Sequence, residues 1–431
     1  MTSEAVKHNS LLNEEIYIKI LPSGLKCYII PKRSFVQKQA VICVNYGSVD
    51  TRFVHGGREH ATPAGVAHFI EHKLFDKKDT DIFTEFSRLG GSVNAFTNFV
   101  NTAYYFSCTE NFANNLNLLL EFTQNPYFTD ENVEKEKGII TQEIRMYQDN
   151  PFWALYLNTI KGLYSKSPIL DDIAGTEDDV NAITKETLLN CYDAFYFPGN
   201  MALICTGDVD IDETLSIAGR GVKPNPFNGS DNTGRPNRVQ RVYAEEPDVI
   251  TRAYTETDMP LARPMFTIGF KDTDFEGSVA DRIASARILA DYVCGESSGF
   301  FNGLYAQGLI DNPFSLEYMC SLFFGTAMLG ASAGDPQKVC GAVIAEFERV
   351  RGGGLLPERL ELIRRKHVGR FVRVFDSVDG VGTGMVDMFS KDIDFFDLLK
   401  SYKTMDAEYL EKRLARLYTP DNYTLSVVSP R

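Results

Sequence analysis

The chain has 431 residues, 44% of them hydrophobic and 24% charged, and carries a net charge of −14 at pH 7. That length exceeds what one hydrophobic core usually organises, so two or more domains are expected. The acidic balance excludes a protein that meets phosphates through a basic face, which removes nucleic acid as a partner, and no apolar run reaches the length of a membrane-spanning helix.

Residues 1–20 are polar and of mixed charge, unlike a signal or transit peptide. The eight cysteines are scattered without a C-x-x-C pair, which reads as reduced, buried thiols in a cytoplasmic protein. Residues 15–20 and 25–30 flank Pro22-Ser23-Gly24 and predict a hairpin; 40–46 predicts a more buried strand ending at Gly47. A helix follows, with Thr62 as its cap and Pro63 at its first position. Along it His68, Glu71 and His72 share one face, and Val66, Ile70 and Leu74 share the other. Two imidazoles one turn apart can reach a single ion with a carboxylate beside them, and H-x-x-E-H is the inverted form of a metallopeptidase motif.

A short helix over 79–89 leads to a Gly90-Gly91 turn and two strands, 92–97 and 102–108. Helices are expected at 111–124, 130–148, 151–165 and 185–195, then a strand at 201–207. Two histidines leave a catalytic zinc one protein ligand short. His8, His55 and His60 lie in a polar tail and a loop. The helix over 130–148, opened by Thr129, offers Glu136 and Glu143 two turns apart on one face.

These residues resemble the pitrilysin-type family of inverted-motif zinc peptidases, and over its whole length the chain resembles the family's short bacterial, processing-peptidase-like members. The match rests on H-x-x-E-H, on E-x6-E some seventy residues later, and on 90–97 between them. The resemblance implies one zinc per chain held by His68, His72 and Glu143, with Glu71 as general base and Glu136 as a supporting carboxylate. It also implies that Asn94, Ala95 and Phe96 lie on an edge strand that pairs with a peptide substrate. The implied fold is α+β: two homologous domains, each a mostly antiparallel sheet packed on helices, arranged as a half-clamshell.

The stretch 221–236 is rich in Pro, Gly and Asn and reads as a linker, dividing the chain into a zinc-bearing domain (1–222), a linker (223–240) and a homologous domain (241–431). A constant offset of 222 residues carries 197–203 onto 419–425 and Gly47 onto Gly269, as duplication predicts. The same offset lays His68, Glu71 and His72 on Ala290, Val293 and Cys294, so the second copy has lost the metal groups. Active family members carry an Arg and a Tyr in the second domain, where this chain has Tyr305 in 303–314 and no following Tyr. The resemblance therefore implies a dimer, either of two copies or with a zinc-less homologue that supplies the Arg/Tyr pair. Two functions stay open: a zinc endopeptidase acting on extended or unfolded peptides, and a zinc-binding assembly subunit with little activity alone.

Overall fold

The two halves of the chain build the same sheet twice. The structure, a computed structural model, describes residues 4–223 and 239–431. The first half runs β1 (Glu4–Asn9), β2 (Glu14–Ile20), β3 (Lys26–Pro31), β4 (Lys38–Val44), β5 (Arg52–His55), β6 (Arg58–Ala61), α1 (Val66–Leu74), α2 (Ile82–Arg88), β7 (Gly91–Thr97), β8 (Thr102–Cys108), α3 (Phe112–Thr123), α4 (Asp130–Gln148), α5 (Pro151–Leu163), α6 (Glu177–Ala182), α7 (Lys185–Phe195), β9 (Met201–Gly207) and α8 (Ile211–Gly221). The second half runs β10 (Gln240–Arg241), β11 (Tyr254–Met259), β12 (Met265–Lys271), α9 (Val279–Cys294), α10 (Gly299–Ala306), β13 (Ser315–Cys320), β14 (Gly325–Ser332), α11 (Pro336–Gly353), α12 (Pro357–Val374), α13 (Val378–Ser390), α14 (Phe395–Thr404), α15 (Ala407–Leu417) and β15 (Tyr423–Pro430).

The first sheet has the order β1-β2-β3-β9-β4-β8-β7, the second β11-β15-β12-β14-β13. In both, one neighbouring pair is parallel, β3 with β9 and β11 with β15, and the remaining neighbours are antiparallel. Five strands thus correspond one to one, β9 and β15 beginning 222 residues apart. Strand β9 is buried at every position, as a central strand covered on both faces must be. The N-terminal residues expected as a polar tail instead form β1, an exposed edge strand whose Glu4 pairs with Lys19 at 3.2 Å.

Packing interleaves the two halves. One unit comprises Met1–Ile144, Asp171–Tyr243 and Val372–Asp392; the other comprises Arg145–Leu170, Ala244–Phe371 and Ile393–Arg431. In the first, α13 packs on β9 and β4; in the second, α5 packs on β15, β12 and β11. The reason is coverage: each sheet has two apolar faces, and the second is closed by a helix drawn from the other half of the sequence. Both helices approach closely through glycine. A Cβ at Gly162 of α5 would lie 2.4 Å from Thr424 Oγ1, and one at Gly382 of α13 would lie 1.9 Å from Gln39 Oε1. The division at 222 and 241 is therefore a division of the chain, whereas the packing units exchange segments across it. Most of the expected linker, 224–238, lies outside the described residues.

Candidate active site

Helix α1 begins at Val66, not at Pro63. Its N-cap is Gly65, left-handed at φ 85°, and the Thr62 hydroxyl donates to the carbonyl of Thr51 at 3.3 Å instead of capping. The cause is steric. A Cβ on Gly65 would stand 2.3 Å from the carbonyl oxygen of Ala174, and one on Gly175 would stand 2.7 Å from that of Ala64. Two backbones touch where the helix starts, and glycine alone gives both the space and the positive φ. From there Val66, Phe69, Ile70 and Leu74 enter the core of the first sheet, which fixes the roll of α1 and turns His68, Glu71 and His72 together. His68 is itself buried, at 9% exposure.

Helix α4 presents the opposing groups. Thr129 and Asn132 cap it reciprocally, each side chain accepting from the other's backbone N–H at 3.1 and 2.9 Å. Val133, Glu136, Ile140 and Ile144 are buried, so the helix lies with its Glu136 and Glu143 face toward α1. Glu143 Oε2 stands 3.7 Å from His68 Nε2 and 3.5 Å from His72 Nε2. Both separations exceed an ordinary hydrogen bond. They match the edge of a zinc coordination tetrahedron, which is about 3.4 Å for bonds of about 2.1 Å. Among the described residues these three side chains form the one His/Cys/Asp/Glu group whose donor atoms gather within 4.8 Å. The donor set, two imidazoles and a carboxylate, suits zinc and leaves a position open for water.

The surroundings move the two imidazoles in opposite directions. Burial, together with neighbouring His72, pulls the His68 imidazole down to a pKa of about 3, which leaves it neutral at physiological pH, the form a metal would require. Burial also pulls His72 down, but the hydrogen bond to Glu136 and three nearby carboxylates outweigh it and leave it raised. Glu136 Oε1 lies 3.0 Å from His72 Nδ1, which turns Nε2 toward Glu143. The Glu136 carboxyl feels burial upward, yet His72 and Lys73 hold it below its usual range. Orienting partners are not symmetric: His68 Nδ1 is buried with no partner among the described residues.

Glu71 faces a different neighbour. Burial raises its carboxyl, and a hydrogen bond from Thr97 Oγ1 to Glu71 Oε2, at 2.6 Å, works against that rise. Thr97 ends β7, whose partner is β8 alone, leaving the outer edge of β7 open among the described residues. Asn94 on that strand is exposed and Ala95 and Phe96 are half-buried. The Ala95 N–H donates to Asn94 Oδ1 at 2.8 Å. The three residues expected to meet a peptide therefore lie on an edge strand that leads to Glu71. Sequence reasoning missed Thr97 and Lys73, although Lys73 was conspicuous as a lysine in the buried run after His72.

In the second unit, α9 carries Ala290, Val293 and Cys294, all buried. There α9 and α12, the counterparts of α1 and α4, are joined without metal ligands: Asp291 meets Lys366 at 2.7 Å, His367 at 3.2 Å and Arg370 at 3.3 Å. Tyr305 stands on α10, 57% exposed, stacked on Phe301.

Comparison with known proteins identifies the family. Residues 52–173 match the family model "Insulinase (Peptidase family M16)" and residues 182–366 match "Peptidase M16 inactive domain". The uncharacterized zinc protease YmfH of Bacillus subtilis is 35% identical over 97% of this chain and 98% of its own length. The chain belongs to peptidase family M16. All five residues of the α1/α4 constellation fall within the first M16 match. An M16-like peptidase from Alicyclobacillus acidocaldarius superposes with a TM-score of 0.90 at 34% identity, covering 100% of this chain and 99% of that one. Pitrilysin shares the fold at a TM-score of 0.75 and 16% identity, this chain matching 46% of its length. Among the described residues of this M16 chain, no helix is long and apolar enough to cross a membrane.

Proposed function

We propose that this M16 chain is a cytoplasmic, zinc-dependent endopeptidase that hydrolyses extended or unfolded peptides. The observation that carries the reading is the convergence of His68, His72 and Glu143 at metal-ligand separations with Glu71 beside them. His68, His72 and Glu143 would hold a zinc ion, which when bound would supply a Lewis acid for the scissile carbonyl and for a water molecule. Glu71 would accept the proton of the attacking water and return it to the leaving amine. Burial raises the Glu71 carboxyl above its usual range, a direction that suits a group asked to hold a proton between the two transfers. Glu136 holds the His72 ring in the tautomer whose Nε2 lone pair is free. The open edge of β7, through Asn94, Ala95 and Phe96, pairs with the peptide backbone and so accepts many sequences.

Tyr305, where the resembled family places an Arg, favours division of labour. In this reading the chain works as a dimer, and a zinc-less homologue supplies the Arg/Tyr pair that holds the developing oxyanion. A missing oxyanion donor costs about two to three orders of magnitude in rate. The purified chain is therefore expected to cleave a quenched peptide library slowly, to lose that cleavage on treatment with a chelator and to regain it with zinc. Addition of a zinc-less homologue is expected to raise kcat/KM by about a hundredfold or more. Cleavage that survives complete zinc removal would overturn the mechanism; zinc binding with no cleavage under any pairing would favour the assembly-subunit reading.

A further inference from the structure

Lys73 follows His72 directly and is fully buried, at 0% exposure. Its ammonium meets Glu136 Oε2 at 3.4 Å and is also held by the carboxylate of Asp76. The other oxygen of Glu136 is engaged by His72 Nδ1 at 3.0 Å. Both oxygens of Glu136 are thus occupied. Glu143, two turns on along the same face of α4, stands near the two imidazoles instead.

A buried ammonium is costly unless carboxylates surround it, so Lys73 and Glu136 hold each other in place. The pair has a consequence for the metal position. Two carboxylates on one helix face both lie near the imidazoles of α1, and nothing in their chemistry decides which one ligates. We propose that Lys73 makes that decision: by fixing Glu136 Oε2, it keeps Glu136 behind His72 as the ring's orienting partner and leaves Glu143 as the carboxylate ligand. Lys73 is a positioning residue, acting through Glu136 and not on substrate. The inference rests on the zinc reading above. Without Lys73, Glu136 is free to swing off Nδ1, and loss of such an outer partner typically weakens metal binding by about 10–100-fold.

The test measures zinc affinity of the full chain by competition with a chromophoric chelator, for wild type, Lys73→Met, Glu136→Gln and the double variant. Methionine keeps the length and apolar stem of lysine without its charge. Lys73→Met is expected to weaken zinc binding by about 10–100-fold, and to add nothing once Glu136 is already Gln, because its effect passes through that carboxylate. Thermal unfolding of the metal-free proteins reports folding separately. A Lys73→Met protein that is less stable yet binds zinc as tightly as wild type would overturn the proposal, as would additive losses in the double variant. Should Lys73→Met not fold, Lys73→Leu also removes the donor and is expected to lose affinity in the same direction; wild-type affinity there overturns the proposal equally. A wild-type chain that binds no zinc would overturn the zinc reading itself, a result distinguishable from the others.

Discussion

Glu71, Glu136 and Glu143 carry the same side chain into three different surroundings. Glu71 has a hydroxyl donor, Glu136 an imidazole and an ammonium, and Glu143 two imidazole nitrogens just beyond hydrogen-bond reach. Their proposed roles as base, support and ligand follow from those partners. The Glu71 partner gives a pH prediction. The Thr97 hydroxyl stabilises the ionised carboxylate, so Thr97→Val should raise the Glu71 pKa further. A general base must be deprotonated, so the acid limb of the kcat/KM profile should move to higher pH with zinc content unchanged, and Thr97→Ser should restore it. A limb that stays in place would show that the hydroxyl does not tune Glu71. The constellation itself was legible from H-x-x-E-H and E-x6-E. Thr97 and Lys73 were not, because their partners lie 26 and 63 residues away in sequence and contact at that distance leaves no local pattern.

At the scale of elements, helices and hairpins with strong periodicity were readable, among them β2 with β3, α4 with its Thr129 cap, and α5. The start of α1 was not. Thr62-Pro63 is a sound local start signal, but the tertiary approach of Ala174 and Gly175 delays the helix to Val66. Gly65→Ala puts a side chain into a left-handed position and into a backbone carbonyl, and is expected to cost at least about 2 kcal/mol. It should also weaken zinc binding, since it moves the first turn that carries His68. Denaturant unfolding and metal titration of the same variant check both, and a loss of less than about 0.5 kcal/mol would contradict the steric account. Strand β1 escaped because neither of its faces carries an apolar stripe, and an exposed edge needs none.

For the whole molecule, the 222-residue offset was the readable signal, and the shared strand order now stands behind it independently of residue identity. The exchange of α5 and α13 between packing units was unreadable, since both helices have ordinary amphipathic patterns and nothing local states which sheet they cover. The exchange predicts that a small change in α5 is felt in the second sheet. Gly162→Ala should clash with Thr424 and destabilise by about 1–3 kcal/mol, as overpacking does. It should do so with little change in zinc affinity, since the zinc constellation lies in the first unit; a matching loss of zinc binding would contradict the division of the chain into those units.

The most direct test of the account compares wild type with Glu71→Gln for bound zinc and for peptide cleavage in the same preparations, alone and with a zinc-less homologue. The account predicts one zinc per chain in both proteins and cleavage in wild type alone, lower in Glu71→Gln by a factor of a thousand or more (roughly 4 kcal/mol of barrier). Equal cleavage by the two proteins, or loss of zinc together with Glu71, would contradict it.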